Sequence, residues 1–170
     1  KGFNVFQIEG DGNATRIYSR KDFYKICLTT GKSIIHYADK SFEQDGTVLF
    51  FGNPHIPDSW ETITTSYVGY TCLFSEEFLK SDRSESLQHS PLFKIGGTPV
   101  LKITAHQREF LGTLFQKMIG EQKTNYVYKD DLIRNYINLI IHEALKLQPS
   151  ENFDQHRNAS SRITSVFLEL

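Results

Sequence analysis

The spacing of apolar residues changes near residue 100, and this change constrains the fold more than any other feature of the sequence. Before it, short runs of β-branched and aromatic residues alternate with turn residues, which is typical of antiparallel strands. After it, apolar residues recur at steps of three and four, as on one face of a helix. Residues 1–100 also hold 9 of the 11 glycines, 4 of the 5 prolines and 15 of the 22 aromatic residues. We therefore expect a mainly β plus α fold, with a β unit over 1–100 and helices after it.

The first unit is predicted to be a small antiparallel β-barrel. Thr30-Gly31-Lys32 and Asp45-Gly46 lie between apolar runs as expected turns, and Asp-Gly readily adopts the positive φ of a tight hairpin. Several short strands at a spacing of about ten residues, without helices between them, favour a sandwich or barrel over a parallel α/β fold. The runs expected to form strands are Phe3–Ile8, Phe23–Thr29, Ser33–Ala38, Thr47–Phe51 and Tyr67–Phe74.

The second unit is predicted to be a helical hairpin. Thr104 and Gln107 have the spacing of a capping box at the start of its first helix. The second helix should begin near two acidic residues, Asp130–Asp131, which suit a helix N-terminus. It should run to about Leu147, because Pro149 follows shortly after.

The second helix carries an apolar stripe that suits a contact between two copies of the chain. Its residues follow steps of four, three, four and three, which is the spacing of a coiled-coil seam. Further apolar residues widen the arc, so the helix is expected to pack against both the barrel wall and a sister helix. The same pattern also fits a helix buried in the core of its own chain. The predicted dimer interface consists of Ile133, Ile137, Ile140, Ala144 and Leu147.

Charge and composition exclude several classes of protein. There are 19 Lys and Arg against 20 Asp and Glu, so the chain lacks the basic excess of proteins that bind nucleic acid directly. No apolar run approaches the ~18 residues of a membrane span, so no membrane partner is expected. Cys27 and Cys72 are too few for a disulfide scaffold, and a reducing cytoplasm is the expected location.

The histidines and cysteines do not form a recognisable catalytic or metal site. No two of the six histidines have the i, i+2 or i, i+4 spacing that lets one strand or helix chelate a metal, so neither a metal nor a cofactor is expected. Neither cysteine has the helix-terminal setting that activates a thiol, so no catalytic residue is assigned and the chain is not expected to be an enzyme. His36 and His55 are kept as ligand-binding candidates, although a structural histidine is the simpler interpretation of both.

The most informative motif is L-F-F-G-N-P-H-I-P-D-S-W-E at residues 49–61, in which two prolines fix a loop that ends at the only tryptophan, Trp60. The accompanying motifs are F-Y-K-I-C-L at 23–28, Gly31, I-H-Y-A-D at 35–39, Asp45-Gly46 and Y-T-C-L-F-S-E-E-F-L at 70–79. In this order and spacing they resemble the N-terminal sensor domain of AraC-type transcriptional regulators, most closely the Bacteroidetes-like branch.

The resemblance implies a cupin-like effector-binding barrel at residues 1–100, with an N-terminal arm at about 1–12, and a helical dimerisation hairpin at 101–148. It also implies that residues 149–170 are a linker and the truncated start of a C-terminal helix-turn-helix domain. The expected partners are a second copy of the chain, a small effector such as a sugar, and DNA only through the missing domain.

The sequence departs from the metal-binding cupins, which carry two histidines separated by one residue and then a glutamate. Here Tyr37 and Ala38 follow His36, so the second histidine is missing, and Glu43 alone cannot hold a metal. Two alternatives to a sensor stay open. One is a pure dimerisation module with a filled barrel, and the other is a cupin enzyme of the isomerase or dioxygenase kind.

An effector in the barrel is expected to meet an aromatic platform and a few polar groups. An indole face packs well against the C–H face of a sugar, so Trp60 is the first candidate. Arg16 and Lys25 are candidates to pair with an anionic effector, although solvation is the simpler expectation for both. The other ligand-binding candidates are Tyr24, Tyr37, Tyr70, His36 and His55.

Overall fold

The computed structural model of this chain describes residues 2–10, 22–64, 66–80 and 90–147. The expected linker at 149–170, Arg16 and the ends of the expected N-terminal arm lie outside these ranges. In chain order the strands are β1 (Phe3–Gly10), β2 (Phe23–Tyr37), β3 (Lys40–Gly52), β4 (Asp58–Thr62), β5 (Tyr67–Ser75) and β6 (Val100–Lys102). The helices are α1 (Glu76–Leu79), between β5 and β6, and then α2 (Ala105–Gln122) and α3 (Lys129–Leu147).

The strands form one antiparallel sheet in the order β1-β5-β2-β3-β6, with β4 paired to β2. β2 is the longest strand, and one of its edges pairs with β3 from Lys25 to Tyr37. On its other edge, Phe23–Thr30 pairs with β5 and Ser33–Tyr37 pairs with β4. The described part of the expected N-terminal arm contains β1, which pairs with β5 along its whole length.

The predicted antiparallel sheet followed by helices is confirmed, but the predicted closed barrel is wrong. The sheet ends at β1 on one side and at β6 on the other, and no pairing between described residues joins these two strands. β6 has three residues, which pair only with Val48–Phe50 of β3. Alternation of apolar residues reports which side of a strand is buried, but it does not report whether the last strand meets the first.

The two predicted turns are also wrong, because they face each other inside the β2–β3 ladder. Gly31 pairs with Gly46, and Lys32 pairs with Asp45. The strands are instead joined at Ala38–Asp39, where Ala38 adopts a φ of 57°. Alanine seldom adopts a positive φ, so the sequence carries no signal for this turn. Glycine also occurs inside strands, at bulges, bends or close approaches of the backbone, so glycine alone does not identify a turn.

The sheet has two faces of different character. The helix face carries Tyr24, Ile26 and Leu28 of β2, which share one buried apolar cluster with residues of α2 and α3. The opposite face carries Cys27, Ile35 and Tyr37, which belong to a second and smaller cluster. Because side chains of a strand alternate, even residues of β2 lie on the helix face and odd residues on the opposite face.

The helix α2 begins as the sequence predicts. The Gln107 N–H donates to the Thr104 hydroxyl at 3.2 Å, and the Thr104 N–H donates to the Gln107 side chain at 2.9 Å, so the capping box is confirmed. No helix among the described residues is long and apolar enough to cross a membrane.

The helix α3 is buried in its own chain, contrary to the expected seam. Ile133, Ile137, Ile140 and Ala144 are each 0% exposed and belong to the cluster that fills the space between the helices and the helix face. These four residues are therefore not available to a second copy. Leu147 is half-buried at the end of α3. Seam spacing and core spacing coincide over five turns of helix, so the pattern alone does not separate them.

Candidate functional site

A small cavity lies on the opposite face, where no helix covers the sheet. Its volume is about 10 Å³, which is about the room of one water molecule. Strands β1, β2, β4 and β5 all contribute to it. The lining residues are Phe6, Ile8, Lys25, Cys27, Thr29, Trp60, Tyr67 and Thr71.

A mostly buried ion pair lies beside this cavity. The Lys25 ammonium lies 2.7 Å from Asp58 Oδ2, and the two side chains are only 15% and 13% exposed. The ammonium also lies 5.9 Å from the centre of the Phe50 ring. Gly52 leaves room for the Lys25 stem, because a Cβ at that position would come within 3.3 Å of Lys25 Cβ and Cε. The sequence-based expectation that Lys25 is solvated is therefore wrong.

A network of buried hydroxyl and amide groups continues from the cavity along β2. The Gln44 amide donates to the Thr29 hydroxyl and to the Thr29 carbonyl, both at 3.1 Å. Ser33 Oγ donates to Gln44 Oε1 at 2.6 Å. Because Gln44 donates to the Thr29 hydroxyl oxygen, the hydrogen of that hydroxyl is directed to another acceptor.

Two ionisable lining residues are held neutral by burial. Burial raises the pKa of the Cys27 thiol to about 11, although Lys25 acts in the opposite direction. The Thr71 hydroxyl donates to Cys27 Sγ at 3.6 Å. Burial also raises the pKa of Tyr67 well above its usual value, and the Thr29 hydroxyl offsets part of the rise. Neither side chain is therefore prepared to act as a nucleophile at neutral pH.

Two of the predicted ligand-binding residues lie in the cluster of the opposite face, and one of them, Trp60, lines the cavity. The rings of Tyr37 and Trp60 each contact Phe50 edge to face, with centroid distances of 5.4 and 5.2 Å. Trp60 also contacts Tyr67 at 6.2 Å. The Tyr37 hydroxyl accepts the Asn53 N–H at 3.1 Å, and burial raises the pKa of Tyr37 to about 12.

Tyr24 and Tyr70 lie on the other side of the sheet. Tyr24 is buried on the helix face, 5.1 Å from the Phe93 ring. Tyr70 stacks on Phe115 of α2 at 5.6 Å, and its hydroxyl accepts a hydrogen bond from Gln116 at 2.8 Å. Both tyrosines are therefore core or packing residues.

The two histidine candidates lie outside the cavity. His36 alternates with the inward Ile35 and Tyr37, so its ring lies at the surface, with Nδ1 2.9 Å from Ser41 Oγ and Nε2 3.4 Å from Glu61. His55 is exposed in the loop before β4. Across the part of the chain that the structure describes, no three His, Cys, Asp or Glu side chains cluster as metal ligands would.

Sequence reasoning missed three polar residues of the cavity lining and the acidic residue beside it. The lining residues are Thr29, Tyr67 and Thr71, and the residue beside the cavity is Asp58. The sequence does contain one indication of the ion pair. Lys25 stands within the otherwise apolar run F-Y-K-I-C-L, and a charged residue inside a buried strand needs a partner. The partner lies 33 residues away in sequence, and no strand register places it there: Asp58 pairs with Tyr37, at the opposite end of β2 from Lys25, so only the three-dimensional course of the sheet brings the two side chains together.

A second, larger depression lies in the helical layer. It is an open groove of about 480 Å³ at the start of α2 and the end of α3, and it is lined in part by Phe110, Leu111, Glu143 and Leu147. Phe110 is 46% exposed there. Leu147 is thus the one member of the expected seam that reaches an open surface.

The resemblance to AraC-type sensor domains rests on residue motifs alone. No protein-family model matches the chain, and no curated protein matches it.

Proposed function

We propose that this chain is the ligand-sensing and dimerisation region of a DNA-binding transcription regulator, with a small-molecule site on the opposite face of the sheet. The mostly buried Lys25–Asp58 pair beside Trp60 is the observation that carries the proposal. A buried ion pair seldom adds stability over apolar residues of the same size, so its presence beside a cavity favours a binding role. DNA binding, in this proposal, belongs to a domain beyond this chain, and the location is the cytoplasm.

A ligand at this site would contact aromatic rings and hydrogen-bonding groups together. Trp60 offers an aromatic surface, and Lys25, Thr29 and Thr71 offer polar atoms. The cavity must enlarge to admit anything larger than water, and β4 is the element best placed to move. It has five residues, pairs only with β2 among the described strands, and carries Trp60.

The second candidate function is a dimerisation module whose interior is filled. The cavity volume of about 10 Å³ favours it, because an empty sensor usually offers more room. In either case a homodimer would use exposed apolar residues of the helical layer. These include Phe110 at 46% and Leu139 at 38% exposed.

A ligand panel read by tryptophan fluorescence separates the two functions. Trp60 is the only tryptophan, so intrinsic fluorescence reports directly on the cavity wall. Sugars, sugar acids, organic acids and their amides are titrated while the melting temperature and the Trp60 emission are recorded. A ligand of a sensor raises the melting temperature and shifts the emission, because it binds only the native state. A panel without any such ligand would favour the filled module.

A matched control keeps this test specific to the cavity. Tyr70→Phe removes a hydroxyl that accepts a hydrogen bond from Gln116 on the helix face. This variant leaves the residues that line the cavity unchanged. A true ligand of the site binds this variant as it binds the unchanged chain. It binds Trp60→Leu more weakly, because that variant removes the aromatic wall.

A further inference from the structure

We propose that the ligand of this site is a small organic acid, whose carboxylate binds the Lys25 ammonium in place of Asp58. The inference rests on the proposed function and names the chemical class of its ligand. Lys25 is the one charged group among the described residues that line the cavity, and Asp58 is not among them. A molecule that enters the cavity therefore meets the cation of the pair and not the anion.

The uncharged polar groups of the cavity also favour an acceptor. The Thr29 hydroxyl oxygen already accepts from Gln44 and its hydrogen is directed towards the Tyr67 hydroxyl, so Thr29 can share a hydrogen with a ligand's acceptor atom. The Lys25 ammonium has three N–H donors, and its one hydrogen-bonding partner among the described residues is Asp58. A carboxylate accepts several hydrogen bonds and donates none, so it matches this lining better than a sugar or an amine does.

Asp58 serves as an internal substitute for such a ligand. Its carboxylate lies 2.7 Å from the ammonium, which is the distance of a charge-assisted hydrogen bond. An entering carboxylate would keep Lys25 paired while Asp58 moves with β4 towards solvent. The apolar part of the acid would lie against Phe6, Ile8 and Trp60, which form the remaining wall. The expected ligand therefore has one carboxylate and a compact apolar body.

Matched acids and amides test the charge requirement. Benzoate, phenylacetate and hexanoate are compared with benzamide, phenylacetamide and hexanamide by thermal shift and by Trp60 fluorescence. We expect at least one acid to raise the melting temperature of the unchanged chain by about 3 °C and its amide to leave it unchanged.

Two variants test the role of the pair. Asp58→Asn removes the internal competitor, so the same acid should bind roughly tenfold more tightly. The double variant Lys25→Gln with Asp58→Asn removes both charges together, which avoids an unpaired buried ammonium, and the acid should no longer bind it. Circular dichroism and the melting temperature establish that both variants are folded.

The outcomes separate this inference from the proposed function. If amides or sugars bind as well as the acids, or if the acid still binds the double variant, the carboxylate inference is wrong and the sensor stands. If the acids bind neither the unchanged chain nor Asp58→Asn, while another class of the panel binds, the inference is wrong in the same way. If no compound binds either protein, both proposals are overturned.

Discussion

The two faces of the sheet bury different kinds of side chain, although the same strands form both. The helix face is covered by α2 and α3, and its buried residues are almost all apolar. The opposite face buries Thr29, Ser33, Gln44 and Thr71, and it also carries a mostly buried ion pair. Burial of polar groups costs free energy that their hydrogen bonds only offset, whereas burial of apolar groups stabilises the fold directly. The helix face therefore stabilises the fold, and the opposite face is the better candidate for a binding function.

The largest expected effect is on the helix face. Ile140 is 0% exposed, so Ile140→Asp places a carboxylate in the apolar layer and should lower the free energy of unfolding by more than ~4 kcal/mol. Leu139→Asp is the control, because that neighbour is 38% exposed and should change the free energy of unfolding by less than ~1 kcal/mol. Urea unfolding followed by circular dichroism measures both. Equal effects in the two variants would contradict the burial of α3 in its own chain.

The second effect breaks the ion pair of the opposite face. Asp58→Leu leaves the Lys25 ammonium mostly buried without its partner and should cost ~3 kcal/mol, measured by urea unfolding. Lys25→Met combined with Asp58→Leu should recover stability to within ~1 kcal/mol of the unchanged chain, because no buried charge remains. If the double variant were as unstable as the single one, Lys25 would stabilise the sheet through contacts other than its ion pair with Asp58.

Much of the helix face was predictable from the sequence, because its physics is local. The capping box at Thr104 and the apolar stripe of α3 depend on residues three and four apart. The opposite face was less predictable. Trp60 and Tyr37 were found as aromatic residues of strands, but Tyr24 and Tyr70 were placed with them although they lie on the helix face.

The misplacement has a specific cause. In β2 and β5, apolar and aromatic residues occupy both the odd-numbered and the even-numbered positions. The alternation therefore does not indicate which set of positions faces the helices. The register of β2 with β5 places Thr71 opposite Cys27, 44 positions away. Asp58 pairs with Tyr37 in the register of β2 with β4, yet its carboxylate contacts Lys25, 33 positions away, through the course of the sheet in space. No local pattern encodes such a register.

A third prediction concerns Gly31, in the interior of β2. A Cβ at this position would lie 2.8 Å from Tyr67 Cδ2, so Gly31→Ala should displace the Tyr67 ring and cost ~2 kcal/mol in urea unfolding. Because Tyr67 contacts Trp60, the Trp60 emission should shift as well.

Gly46→Ala is the control for this prediction. Its φ of 107° disfavours a side chain, but a Cβ there would meet nothing within 4 Å. The control should lose stability and keep its emission unchanged. A shift of emission in both variants would trace the effect to the ladder of β2 and β3 and not to the Tyr67 contact.

The smallest expected effect compares one cysteine from each face. Cys72 is buried on the helix face and Cys27 on the opposite face, and burial raises the pKa of both thiols. Only Cys27 has a cation that opposes this rise, because Lys25 stabilises its thiolate. Iodoacetamide should therefore modify Cys27 roughly tenfold faster than Cys72 in the folded chain near pH 9, since the thiolate is the reactive form.

Labelling of Cys27→Ser and Cys72→Ser variants, followed by mass spectrometry, gives the two rates separately. Removal of the cation in the Lys25→Met, Asp58→Leu double variant should reduce the difference between the two rates, although the Thr71 hydroxyl still lowers the pKa of Cys27. A ratio that does not change would mean that access to the reagent, and not the charge of Lys25, distinguishes the two cysteines.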